Sequence, residues 1–173
     1  MIGSEIRPYL TKVCTALNSH DVDYIVVGGA AVSHYGYNRP SGIGQYHTGL
    51  KADLDFWYNP TIENFEKIIR ALSDLEVDTS ELKKLVFDKK STFLKIPHKE
   101  FHTDFLPVML GLDSYRTSKR SAEESEIDGV KIHVLSLDDL ILNKAAVRRK
   151  TDLSDITELK KIRTEKKKRG KHL

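Results

Sequence analysis

With 173 residues, 31% of them charged and 39% hydrophobic, the chain has the length of one domain and the composition of a modest core inside a wet surface. No run approaches the roughly 18 apolar residues of a membrane-crossing helix, and the opening Met-Ile-Gly-Ser-Glu-Ile-Arg-Pro lacks the apolar stretch of a secretory signal. A single cysteine, Cys14, excludes an internal disulfide, so a cytoplasmic location is the expectation.

Ile6, Leu10, Val13, Cys14 and Leu17 recur at helical spacing and predict an amphipathic helix from Glu5 to Ser19, with Cys14 as an inert thiol on its apolar stripe. Tyr24-Ile25-Val26-Val27 reads as a buried strand ending at Gly28-Gly29, and a short helix follows from Ala30. Residues 36–49 are rich in Gly, Pro, Ser, Asn and His and carry no period, which marks a loop. Ala52 to Tyr58 alternates as a strand does, and Thr61 can cap a helix carrying Ile62, Phe65, Ile68, Ile69 and Leu72. A shorter helix is expected around Glu81 to Phe87, then two strands, Thr92 to Ile96 and Phe101 to Val108. Asp128-Gly129 between Ser125-Glu126-Ile127 and Val130-Lys131-Ile132-His133-Val134 predicts a hairpin. Ser136, with Asp139 three residues on, opens a helix that runs to about Arg149, and a last helix starts near Asp152. Interleaved strands and helices without a linker predict an α/β (α+β) domain with a mixed β-sheet flanked by helices.

The charge is concentrated at one end. Residues 160–173 hold eight cationic side chains against the single acid Glu165, a net of +7, which leaves the body at −4. The expected organisation is therefore a domain over residues 1–159 and a basic helix end or tail over 160–173. Two readings of that tail stay open: a solvated end that frays, or an arm that seeks the phosphates of RNA or DNA.

Asp53-Leu54-Asp55 carries the most chemical information. Positions i and i+2 of a strand share a face about 6.5 Å apart, where two carboxylates repel by roughly 2–3 kcal/mol at an effective dielectric of 20. A divalent cation removes that cost, and Mg²⁺ favours one or two carboxylates plus substrate phosphate oxygens. A solvent-facing strand with two ordinary acids is the alternative. Upstream, the two glycines between strand and helix permit close backbone approach, and the N–H groups of the following turn can hold phosphates. A third acid, Asp104, lies within the later strand, in His102-Thr103-Asp104-Phe105-Leu106, where it is costly unless it meets charge. His98 and His102 lack the Glu that a zinc-protease motif requires, and no Gly-x-Ser-x-Gly nucleophile motif occurs. Trp57 and Tyr58 read as core and sheet-edge residues, with a base-pocket lining as the alternative.

Val27-Gly28-Gly29-Ala30, Arg39, Asp53-Leu54-Asp55 and Asp104 together resemble the minimal nucleotidyltransferases of the DNA polymerase β superfamily. The segment from Leu137 to Ile156, with Lys144, Arg149, Asp152 and Asp155, resembles the abortive-infection and toxin-type branch. The resemblance covers about Tyr24 to Leu159. It implies a polymerase-β-like fold with C-terminal helices and transfer of a nucleoside monophosphate from an NTP such as ATP to a hydroxyl of an RNA end or a protein Ser, Thr or Tyr. It also implies two Mg²⁺ ions, or Mn²⁺, held by Asp53, Asp55 and Asp104, which would be the catalytic residues. Nucleotide contacts would come from Gly28, Gly29, Arg39, Lys144 and Arg149, and a cognate antitoxin is an implied partner. Lys144 as an ordinary exposed residue and Arg149 as a surface partner of Asp152 or Asp155 remain alternatives. The connection from Gly29 to Asp53 is longer than the family usually has, with residues 41–50 as an apparent insertion around Gln45, Tyr46 and His47. Lys51-Ala52 also stands where Thr or Ser often precedes the first acid. A nucleotide- or partner-binding module of the same fold with weak catalysis is the second reading.

Overall fold

The computed structural model describes residues 2–37 and 51–170. Arg39, Gln45, Tyr46 and His47 lie outside the described residues. A six-stranded mixed sheet forms the centre, in the order β3-β4-β2-β1-β6-β5. Its strands are β1 (Tyr24–Val26), β2 (Ala52–Tyr58), β3 (Leu94–Pro97), β4 (Phe101–Leu106), β5 (Glu123–Ile127) and β6 (Val130–Val134). The helices are α1 (Arg7–Ser19), α2 (Gly28–His34), α3 (Ile62–Asp74), α4 (Tyr115–Ser121), α5 (Leu137–Val147) and α6 (Lys150–Arg169). β2 runs antiparallel to β1 and parallel to β4, while β1 and β6 are parallel neighbours.

Local chemistry accounts for most boundaries. Pro8 starts α1 with a residue whose missing N–H costs nothing in a first turn. The Thr61 and Ser136 side chains accept from the N–H groups of Asn64 and Asp139, both at 3.2 Å, and so cap α3 and α5. Asp128 (φ 49°) and Gly129 (φ 82°) make the left-handed pair that a two-residue hairpin needs. Arg148 (φ 55°) breaks α5 from α6, which begins at its N-cap Arg149. Three expectations change. The segment around Glu81 to Phe87 holds only a 3-10 turn at Leu82–Lys84, because none of those three side chains is buried to anchor a longer helix. α4 forms where no helix was expected, capped by Ser114 and anchored by buried Tyr115 and Ser118. α2 begins at Gly28 rather than Ala30.

The sheet has two unlike faces. Leu54, Phe56, Phe101 and Phe105 are buried on one, where Phe56 stacks on Phe105 at 5.3 Å and Tyr9 of α1 stacks on Phe101 at 4.9 Å. Asp53, Asp55, His102 and Asp104 occupy the other, because successive residues of a strand alternate sides. Cys14 is buried, and burial pushes its thiol up to about 12, so it is an unreactive core residue at neutral pH. α6 continues through residue 160 to Arg169, and its end is tied to the body. Arg163 pairs with Asp138 at 3.1 Å, and Lys166 pairs with Glu123 at 3.5 Å while lying 4.9 Å over the Tyr35 ring. Among the described residues, no helix is long and apolar enough to cross a membrane.

Candidate active site

Parallel pairing of β2 with β4 sets Asp55 directly beside Asp104 and Asp53 beside His102. Neighbours on one rung point to the same side, so all three acids share a face. Asp53 is the outermost, 55% exposed at its side chain, with its Oδ1 turned to His102 Nδ1 at 3.6 Å. Asp104 is only 16% exposed at its side chain, and its Oδ2 lies 3.9 Å from Lys95 Nζ. Its Oδ1 is buried with no hydrogen-bond partner among the described residues.

Gly28 closes the inner side. Its φ of +61° belongs to the left-handed region, and a Cβ placed there would lie 2.8 Å from the Asp55 Cγ and closer still to a carboxylate oxygen. The Val27 N–H donates to the Asp55 carbonyl at 3.0 Å, which holds the glycine turn and the acid strand together. α2 starts at this glycine, and the N–H groups of its first turn have no partner within the helix.

Electrostatics follows from this crowding. Burial raises the Asp55 carboxyl to about 6; the charges of Asp104 and Asp53 add to the rise, while Arg149 and Lys144 pull against it. Burial also raises Asp104, with Asp53 adding and Lys95 and His102 opposing. A face carrying more negative charge than its cations balance, with an orphaned buried carboxylate oxygen, suits a hard divalent cation with oxygen ligands. As they stand, no three His, Cys, Asp or Glu side chains among the described residues gather closely enough to hold a metal ion.

A cleft of about 620 Å³ opens over Gly28, Asp55 and Asp104. Its remaining wall is largely apolar, with Phe93, Val108, Met109 and Leu110, and Arg149 is the one cation that lines it among the described residues. Asn143 Nδ2 donates to the Leu110 carbonyl at 2.9 Å and fixes that wall against α5. The sequence reading did not single out these residues. The signal available was the aperiodic apolar run Val108-Met109-Leu110 just past the strand that carries Asp104. His102, which engages Asp53, carries no signal of that role in the sequence beyond its place two residues before Asp104. In the structure His98 bonds Thr103 Oγ1 at 3.0 Å on the opposite side of β4 from His102. Trp57 and Tyr58 are core residues, donating to the carbonyls of Pro107 at 3.2 Å and Thr92 at 2.5 Å.

Lys144 and Arg149, both expected to meet a triphosphate, part company. Lys144 is buried, its ammonium 3.1 Å from Asp152 and 2.7 Å from Asp155, two carboxylates that are themselves fully buried. It is absent from the cleft wall, and its charge reaches Asp55 only through space. Arg149 is 67% exposed at its side chain and lines the cleft, while its Nε donates to Asp152 at 3.0 Å. Asp152 also receives the Arg149 backbone N–H at 2.9 Å. Burial alone would raise the Asp152 carboxyl, but the hydrogen bonds from Arg149 and Lys144 outweigh it and bring it to about 2. This buried trio joins α5 to α6 and aims the guanidinium at the cleft.

Solved structures share the fold. A candidate nucleotidyltransferase from Thermotoga maritima superposes with a TM-score of 0.54 at 16% identity, covering 97% of this chain and 96% of its own. An antigenic nucleotidyltransferase-like protein from Paracoccidioides brasiliensis gives a TM-score of 0.52 at 15% identity, covering 92% and 77%. No curated protein matches the sequence. Residues 7–171 match a family described as nucleotidyl transferase of unknown function (DUF2204), and the chain belongs to that family.

Proposed function

We propose that the chain transfers a nucleoside monophosphate from an NTP to a hydroxyl acceptor at the cleft over Asp55. The observation that carries this reading is the shared rung of Asp55 and Asp104 beside Gly28. Asp53, Asp55 and Asp104 would hold divalent metal, Mg²⁺ or Mn²⁺, after Asp53 turns from His102. Metal bound there would neutralise the triphosphate and stabilise charge developing on the phosphoryl oxygens. The first-turn N–H groups at Gly28 and Gly29 would receive β- and γ-phosphate oxygens, and Arg149 would meet the phosphates from the opposite wall. Lys144 would act indirectly, by holding Asp152 and so the guanidinium. Asp104, raised by burial and with a free oxygen, would accept the proton of the attacking hydroxyl as it adds to the α-phosphorus and pyrophosphate leaves. The apolar wall at Phe93, Val108 and Leu110 would exclude water from the reaction. The Leu137–Ile156 resemblance supports a toxin-type enzyme with an RNA end or a protein Ser, Thr or Tyr as acceptor and a cognate antitoxin as partner.

The assay is incubation with labelled NTPs and Mg²⁺ or Mn²⁺ in the presence of total RNA or cell lysate. Label transferred to an acceptor by the unmodified chain and abolished by Asp55→Asn supports the reading. One observation favours the second reading, a nucleotide-binding module with weak transfer: the Asp53 carboxylate already has a partner in His102. That reading predicts NTP binding without label transfer under every acceptor and metal tested.

A further inference from the structure

We propose that the outward side of α6, beyond residue 160, binds the phosphodiester backbone of a nucleic acid. The helix separates its cations by direction. Arg163 and Lys166 turn inward and are spent on Asp138, Glu123 and the Tyr35 ring, and Lys161 pairs with Glu158 at 2.7 Å. Lys160, Lys167, Lys168 and Arg169 are exposed, and none pairs with an acid among the described residues. The inward contacts make this a fixed ladder, so binding costs little ordering entropy.

The spacing suits a repeating anion. At 100° per residue, Lys160, Thr164, Lys167 and Lys168 fall within about 100° of arc and span about 12 Å along the axis. Shallow grooves run between them, one of them edged by Glu165, and the Thr164 hydroxyl that stands between the lysines is turned back to the Lys160 carbonyl at 2.9 Å, which leaves the ammonium groups as the phosphate donors. Glu165 is the only acid beyond Glu158 on the helix. From residue 163 to residue 169 the helix has no apolar side chain, so it lacks the greasy face with which a membrane-surface helix inserts. It has no aromatic platform on this side either, so the contact is to backbone phosphates and is indifferent to sequence. α6 starts at Arg149 on the cleft, which puts Lys160 about 16 Å along the same rod. A strand held on the ladder is therefore within a few nucleotides of the candidate site.

The test measures binding of a labelled 20-nucleotide single-stranded RNA, and of DNA of the same sequence, to the full chain by anisotropy between 50 and 300 mM salt (concentrations on the order of those that resolve counterion release). No NTP is present, so the outcome is separate from that of the transfer assay. The triple variant Lys160→Ala, Lys167→Ala, Lys168→Ala should weaken binding about tenfold or more and lower the log–log salt slope by about 2, since each phosphate contact on a single strand contributes about 0.7. Equal losses for RNA and DNA support a backbone contact. The charge-matched variant Lys83→Ala, Lys89→Ala, Lys90→Ala should bind as the unmodified chain does. No binding at the lowest salt, an unchanged triple variant, an equal loss in the charge-matched variant, or binding to anionic vesicles in place of RNA would each overturn the proposal.

Discussion

The Gly28 α-carbon abuts the Asp55 carboxylate so closely that no side chain fits between them, and at a φ of +61° the backbone itself disfavours one. The sharp entry into α2 starts that helix at the residue that abuts Asp55. Gly28→Ala should therefore cost about 2 kcal/mol or more in urea unfolding, combining left-handed strain with displacement of Asp55. Gly36, at φ +99°, where an added Cβ would meet nothing within 4 Å among the described residues, isolates the backbone contribution. Gly36→Ala should cost only about 1 kcal/mol. Equal losses for the two variants would show that the Asp55 contact is unimportant.

Charge repulsion on the acid face predicts an unusual stability profile. The folded-state carboxyl of Asp55 is raised to about 6, above its unfolded value near 3.9, so ionising it opposes folding. The penalty is absent below the unfolded value, grows as pH rises, and is complete above about 6. In metal-free buffer, Asp55→Asn should raise stability by about 2 kcal/mol at pH 8, with the gain vanishing by about pH 4. Thermal melts across that range check it. A variant less stable than the unmodified chain at pH 8 would remove the electrostatic argument for a cation.

Most of the fold's local punctuation was legible: the Thr61 and Ser136 caps, the Asp128-Gly129 hairpin, and the alternation that puts Asp53 and Asp55 on one face. Those features act within four residues. What was hidden depends on partners far along the chain. Nothing local announces that β4 docks parallel to β2, which alone brings Asp104 onto the rung of Asp55. α4 is short and polar, held by Tyr115 donating to Asp23 at 2.8 Å across 92 residues, so it leaves no apolar period. Lys144 looks like an exposed helix residue until α6 folds back after Arg148 and encloses it with Asp152 and Asp155.

That enclosure gives a stability prediction. Lys144→Met takes the ammonium from two buried carboxylates, of which Asp152 keeps its bonds from Arg149, and should cost about 3 kcal/mol. Adding Asp155→Asn should recover part of it. Asp152, depressed to about 2, contributes stability that is fully present above the ordinary carboxyl range and is lost as pH falls through about 2. Lys144→Met should accordingly move acid unfolding to higher pH, as circular dichroism would register. An unchanged acid midpoint would mean the trio does not join α5 to α6.

The apolar wall yields a separable effect. Leu110 is 63% exposed beside the cleft, so Leu110→Asp should leave thermal stability within about 0.5 kcal/mol. If the wall excludes water from the site, the same variant should reduce transfer activity at least about tenfold. Activity unchanged in a folded variant would show that the wall is not part of the site.

The most direct test is crystallographic: soak crystals with Mn²⁺ and a non-hydrolysable NTP analogue, and locate the metal by anomalous scattering. The account predicts a peak bounded by Asp53, Asp55 and Asp104, with Asp53 rotated off His102 and the phosphates against Gly28 and Gly29. Nucleotide seated elsewhere, or metal bound without any of the three aspartates, would contradict it.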